Sequence, residues 1–399
     1  MKLIFKNTTY QLLSKILSTF VTGLQSVLIV RELGASTWGH YSVVISYIFF
    51  LYVLSDLGLN TVSIRKLSEL KKLKKIHFFN LLSARLLISF ALILIFTTIL
   101  FFVPYDRQIK ISILITFLSF FFFSIFNTCT VFFNISLKFK YLFYTNLIGL
   151  FFSLNLFLYL IPFSKDNIFI LFFPMLLLDV LRSIISSFIV FKKILKDKFK
   201  FEKLNYLTSL NLIKTSLPLG LALSLNGLMF YADQFILGLY SKTQLGYYAI
   251  SFKVFELALI IPAFLMNSIF IMWIKHKNLK LKKVTFYLLL LSIPITLFGL
   301  LLGKWGLGLL WGQDIVKSFE SLKILLLGLG VFFITSPISF YYMYKKRYKT
   351  LSIIYIVGFI LNIVLNLFLI PKYMQVGAGL STVVTEAFVL ILLLSMLKK

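Results

Sequence analysis

The chain has very little with which to cover a water-facing surface. Of its 399 residues 14% are charged and 60% apolar, against roughly 25% and 45–50% in soluble domains. A water-soluble globule is excluded on that ground. Acids are especially scarce, with 13 Asp and Glu against 41 Lys and Arg. Cys129 is the single cysteine, which excludes an intramolecular disulfide and a cysteine-based metal site. The histidines, His40, His77 and His276, lie too far apart in sequence to suggest a metal cluster. No G-x-x-x-x-G-K-[ST] phosphate loop occurs, since Gly303-Lys304 runs into Trp305. H-E-x-x-H and G-x-S-x-G are equally missing. The expectation is a protein that is not an enzyme, with no catalytic residue, no metal and no cofactor.

What the chain has instead is apolar length. Runs of 18 or more apolar residues recur, each able to cross a hydrocarbon core about 30 Å thick at about 1.5 Å per residue. The alternating ten-residue segments of a membrane barrel do not occur. The fold class expected is an all-α polytopic membrane protein. Charged punctuation divides it into twelve spans: 8–30, 39–60, 78–103, 110–137, 141–161, 167–191, 208–239, 244–274, 284–303, 321–343, 350–370 and 376–397. Lys2 and Lys6 before the first run imitate a secretory signal. That run is too long for a signal core and lacks a small-x-small cleavage site, so it reads as a retained span. The stretch 304–323 is expected to include a short segment lying at the outer surface.

Lys and Arg set the orientation. One set of alternate loops carries 27 of them and the other 9, which places both termini in the cytoplasm. We call the end of each span that this count places in the cytoplasm its inner end. The basic excess serves topology and attraction to anionic headgroups, so nucleic acid is not a partner. Trp38, Trp305 and Trp311 fall at outer ends and Trp273 at an inner end, the positions of interfacial anchors.

The chain reads as built twice. "LGASTWGHYSVVIS" (33–46) is echoed 207 residues later by "YSKTQLGYYAISFK" (240–253), sharing Gly39/Gly246 and Tyr41/Tyr248. "NLFLYLIP" (155–162) is echoed by "NLFLIP" (366–371), and Asp179 by Glu386. Six spans is an even number, so the two copies keep one orientation, the parallel-repeat case. The expected domains are an N-terminal six-helix bundle (1–191), a basic linker (192–207) and a C-terminal six-helix bundle (208–399).

Ionisable groups inside a membrane are costly and face the bundle interior or a wet cavity. Lys15, Asp56, Asp233, Lys253 and Glu256 all lie in the first two spans of a half. They can be structural ion pairs or can charge a cavity between the bundles; Asp233 is expected to approach Lys253. Asp179 and Arg182, at i, i+3, can neutralise each other on one helix face. Arg85 and Lys214 either snorkel to the inner surface or join the cavity. Pro174, Pro218, Pro262, Pro294 and Pro337 interrupt spans 6 to 10, where proline removes a backbone hydrogen bond.

"VRELGASTWGHYSVVIS" followed by "SDLGLNTVSIRKLSE" resembles the opening signature of the polysaccharide flippases, which carry O-antigen and capsule repeat units. These belong to the multidrug/oligosaccharidyl-lipid/polysaccharide exporter superfamily. Arg31, Leu33, Gly34, Gly39, Tyr41, Asp56, Leu57, Gly58, Leu59 and Arg65 carry the match. "YADQFILGLYSKTQLGYYAISFKVFEL" and "IPKYMQVGAGLST" resemble the family's patterns around its seventh, eighth and last spans. The resemblance implies two pseudo-symmetric six-helix bundles forming a V, as in the MATE exporters, with a cavity lined by spans 1, 2, 7 and 8. It implies transport of undecaprenyl-pyrophosphate-linked oligosaccharide across a bacterial inner membrane for surface polysaccharide synthesis. The candidate substrate residues are Lys15, Asp56, Asp233, Lys253, Glu256, Arg85 and Lys214, with Arg31 and Arg65 at the mouths as motif positions or as topological anchors. Partners implied are the lipid-linked glycan, membrane lipids, H+ or Na+ as coupling ion, and polysaccharide polymerase or chain-length proteins. One rival is a cation-coupled multidrug exporter of the same superfamily, which resembles carriers with an acid in span 1, where this chain has Lys15. The other is a glycan polymerase or ligase, an enzyme requiring a large outer loop.

Overall fold

The computed structural model describes residues 2–68, 70, 73–197, 206–276 and 280–397. A chain crossing hydrocarbon must satisfy its backbone internally, and every regular element described is helical. In order they are α1 (Lys2–Asp56), α2 (Leu59–Ser68), α3 (Lys75–Phe102), α4 (Arg107–Ile135), α5 (Phe139–Leu160) and α6 (Phe173–Ile189). Then follow α7 (Tyr206–Tyr240), α8 (Lys242–His276), α9 (Leu281–Trp311), α10 (Phe319–Tyr344) and α11 (Tyr348–Leu397).

Among the described residues nine helical stretches are long and apolar enough to span a membrane. Two of these are double. α1 breaks at Gly34 (φ 84°), a left-handed conformation that glycine adopts at no steric cost. α11 breaks at Met374 (φ 49°), three residues after Pro371. With α7, 35 residues long, the twelve expected spans all fall on helix. The protein is an all-helical, multi-pass membrane protein.

Three details depart from expectation. α9 continues to Trp311, so the outer segment reduces to Gly312 (φ 101°) and a 3-10 turn, Gln313–Ser318. Pro174 does not interrupt a helix; it sits in the first turn of α6 after a 3-10 stretch, Ile168–Phe172, where its missing N–H costs nothing. Trp305 alone of the four tryptophans is exposed, while Trp38, Trp273 and Trp311 are buried. Their rings find protein partners: Trp38 stacks on Tyr41 at 5.3 Å, and Trp273 meets Tyr341 edge-on at 5.7 Å.

The chain divides into two compact units that exchange pieces across the duplication boundary. Unit 1 comprises 1–28 and 47–224; unit 2 comprises 29–46 and 225–399. The expected division at 192–207 is therefore one of chain order, with contacts organised otherwise; residues 198–205 of that linker lie outside the described residues. Unit 1 has an aromatic core of Phe78, Phe79, Phe132, Phe133 and Phe191. Unit 2 packs Ile338, Tyr342, Ile354, Tyr355 and Val389.

Candidate functional site

The two copies of the repeated turn touch each other within unit 2. A Cβ added at Gly39 would lie 3.2 Å from the Gly246 amide nitrogen and overlap the Lys242 carbonyl oxygen. One added at Gly246 would lie 3.3 Å from the Gly39 nitrogen and overlap the Ala35 carbonyl oxygen. Ala35 and Lys242 are themselves separated by 207 residues, so the contact is reciprocal between equivalent positions. Both glycines are needed because helix backbones meet with no room for a side chain. Beside this crossing the Lys253 ammonium lies 5.4 Å from the Trp38 ring centroid, within cation–π range.

Arg31 folds onto the end of α9. Its Nε donates to the Leu310 carbonyl at 2.8 Å and its Nη2 to the Leu309 carbonyl at 2.5 Å. These are last-turn carbonyls without intrahelical donors, which cationic side chains satisfy. Arg31→Ala is expected to destabilise by about 1 kcal/mol. Arg31→Lys should recover only part of this, because one ammonium cannot reproduce the guanidinium fork. Thermal unfolding in detergent would check both; equal stability of all three proteins would discard the capping role.

At the inner end of unit 1, "DLGL" forms the turn between α1 and α2. Leu57 (φ 34°) and Gly58 (φ 74°) take left-handed conformations that part the two helices, and the Asp56 carboxylate accepts from the Asn60 amide at 3.2 Å. The same Asp56 oxygen lies 3.3 Å from Arg85 Nη2, which also donates to the Asn60 side chain at 2.7 Å. Asn60 continues the network to Asn127 at 3.2 Å. Arg85 is wholly buried, so the snorkelling reading is wrong for it: Asp56 and Asn60 hold the guanidinium inside. Gly58 faces α7, where an added Cβ would come within 2.9 Å of the Gly220 nitrogen and of the Ser216 carbonyl oxygen.

In unit 2 Asp233 is completely buried. One carboxylate oxygen accepts from the hydroxyls of Tyr248, in a short bond, and Thr382, at 2.8 Å; the other accepts from the Gln234 amide at 2.7 Å. Sequence reasoning sought a cation at Lys253 and missed Tyr248 and Thr382. Tyr248 was visible as the echo of Tyr41, and Thr382 as part of "GLST". Asp179 forms its expected ion pair with Arg182 at 2.5 Å and also receives Tyr52 (2.9 Å) and Ser119 (2.5 Å).

The candidate residues thus distribute over both units. Lys15, Asp56, Arg65, Arg85 and Lys214 belong to unit 1; Arg31, Asp233, Lys253 and Glu256 belong to unit 2. Lys15, Arg65 and Lys214 are exposed, whereas Lys253 and Glu256 are half-buried. Asp56 and Arg85 are brought together by the fold.

The sequence model of the family described as "Polysaccharide biosynthesis protein" matches residues 4–270. No curated protein matches the chain by sequence. Among solved structures the chain is similar to the lipid II flippase MurJ in an inward closed conformation. The identity is 19%, over 99% of this chain and 88% of that one, with a TM-score of 0.76. It is also similar to the eukaryotic MATE transporter AtDTX14, at 12% identity over 99% and 95% of the chains, with a TM-score of 0.70. A Vibrio cholerae MATE transporter, VcmN, is 14% identical over 100% and 97% of the chains, with a TM-score of 0.67. At these identities the likeness is one of fold.

Proposed function

Because the chain belongs to the polysaccharide biosynthesis protein family, we propose that it is a flippase for lipid-linked oligosaccharide. The cargo in this reading is an undecaprenyl-pyrophosphate-linked repeat unit, moved from the cytoplasmic to the outer leaflet of a bacterial inner membrane. The product feeds surface polysaccharide such as O-antigen or capsule, through a polymerase and chain-length proteins. The family match, which runs from α1 through most of α8, carries the proposal.

The physical problem is the head group. A pyrophosphate stripped of water in hydrocarbon costs many kcal/mol, and fixed cations must replace its hydration. Lys15 on α1 and Lys253 on α8 are the side chains we assign to that task. Lys15 is exposed and Lys253 half-buried over Trp38, whereas Arg85 is wholly buried against Asp56. Arg65 and Lys214, exposed near inner ends, draw the anionic head group to the mouth. Asp56 and Arg85 then belong to the scaffold under the inner turn. Asp233, surrounded by neutral donors, is where a coupling H+ or Na+ would find negative charge.

A strain lacking the protein should accumulate lipid-linked repeat units facing the cytoplasm, measured by leaflet-selective labelling of the lipid fraction. Complementation by Lys15→Glu or Lys253→Glu should leave surface glycan at least tenfold below the parent, at equal protein level. Normal surface glycan with both reversals would remove the cationic site. Single repeat units accumulating on the outer leaflet of the deletion strain would instead indicate a polymerase.

A further inference from the structure

The cationic path uses none of the apolar groove on the outside of unit 1. A cavity of about 860 Å³ opens there between α3, α4 and α6. Its walls are Leu82 and Leu86 of α3, Phe121 and Ile125 of α4, and Ile184 and Phe188 of α6. Phe121, Ile184 and Phe188 each leave two-fifths or more of their surface open. The inner rim is charged, formed by Lys192 and Asp197. A π-helical turn, Val190–Leu195, followed by left-handed Lys196 (φ 53°), ends α6 there.

We propose that this groove binds an acyl chain of an anionic glycerophospholipid of the cytoplasmic leaflet, with its phosphate on Lys192. Two observations choose this occupant. The first is length. The deepest α3 residue lining the groove, Leu86, is eleven residues from the start of the helix at Lys75, about 17 Å at ~1.5 Å per residue. That is half of a hydrocarbon core of about 30 Å, the depth of one leaflet; a long isoprenoid chain would overrun it. The second is charge. Asp197, the one acid on the rim among the described residues, is paired with Lys75 at 3.7 Å. Lys192 rests over the Phe188 ring at 5.2 Å, which puts its ammonium directly above the apolar wall. With Asp197 neutralised by Lys75, the described residues of the rim carry the net positive charge of Lys192, as an anionic head group requires. The inference rests on the orientation set by the basic loops and is independent of the cargo.

The test uses the full-length chain carrying Phe188→Trp, reconstituted in phosphatidylcholine vesicles, with the parent protein as the background for its four native tryptophans. A minor fraction of the lipid is replaced by brominated phosphatidylglycerol or, in parallel, by brominated phosphatidylcholine. The added fluorescence should be quenched several-fold more by the anionic lipid, and Lys192→Glu in the same background should abolish the difference. Equal quenching by both lipids, or a preference that survives Lys192→Glu, overturns the proposal. So does relief of quenching by unlabelled undecaprenyl phosphate at levels where unlabelled phosphatidylglycerol has no effect, since that assigns the groove to an isoprenoid tail. Because this readout is binding, its failure leaves the flippase assignment untouched, and loss of transport leaves the groove untouched.

Discussion

Asp56→Ala is expected to cost about 3 kcal/mol of stability, far more than removing its partner. The two members of the ion pair are buried unequally: Arg85 has no exposed side-chain surface, whereas Asp56 keeps 29%. Taking away one partner of a buried pair typically costs about 3–5 kcal/mol, because the remaining charge has lost its compensation. The lower end applies here, since water already reaches Asp56 and weakens the attraction. In Asp56→Ala the stranded charge is the guanidinium, whose Nε and Nη1 have no partner among the described residues. In Arg85→Leu the stranded charge is a carboxylate that can hydrate, so that variant should lose less. The double variant Asp56→Ala/Arg85→Leu should be more stable than Asp56→Ala alone. It should remain below the parent by about 1 kcal/mol for the lost contact to the first turn of α2. A double-mutant cycle on denaturant unfolding in detergent measures all four. Equal single costs that simply add would show that the pair is not coupled.

That pair also marks where the sequence stops being informative. The spans were legible because hydropathy over about 20 residues is a long, redundant signal. The break at Gly34 was legible because the polar turn and the glycine coincide. The duplication was legible as order: Gly39 and Tyr41 recur at Gly246 and Tyr248, and the fold puts the two glycines in contact. Partner choice was not legible. Arg85 was read as reaching for the inner surface or joining a cavity, since nothing local in α3 answers its charge; Asp56 and Asn60 arrive from either side of the α1–α2 turn. Asp233 was expected to approach Lys253 on the next span. Its carboxylate takes hydrogen bonds from hydroxyls on α8 and on the second part of α11 and from the Gln234 amide. Serine, threonine and tyrosine carry no charge and so leave no mark in a count of ionisable residues, yet they satisfy the buried acids here. The tryptophans misled for a related reason, because position at a span end does not distinguish a ring facing lipid headgroups from one packed on Tyr41 or Tyr341.

The second large effect is expected at the crossing of the two repeated turns. Replacing a helical glycine by alanine ordinarily stabilises by about 0.5–1 kcal/mol, because glycine loses more backbone freedom on folding. Gly23 on α1 has nothing within 4 Å of an added Cβ, so Gly23→Ala should show that gain. Gly39→Ala on the same helix should show the opposite sign. Its methyl would enter the Lys242 carbonyl, a backbone group that no rotamer change can move aside. Overpacking of this kind costs about 1–3 kcal/mol; with two backbones involved we take the upper end, offset by the propensity gain, for a net loss of about 2 kcal/mol. Gly246→Ala should match it, since its methyl would enter the Ala35 carbonyl across the same contact. The two losses should not add. Once one methyl has forced the backbones apart, the second finds the space already open, so the double variant should sit well above the sum of the singles. Unfolding of the four proteins, with Gly23→Ala as the control for helix propensity, separates the possibilities. Additive losses would mean each glycine clashes independently, and a Gly39→Ala variant as stable as Gly23→Ala would mean the repeats do not meet there. Non-additive losses of equal size would show that the paired glycines of the repeat form one contact.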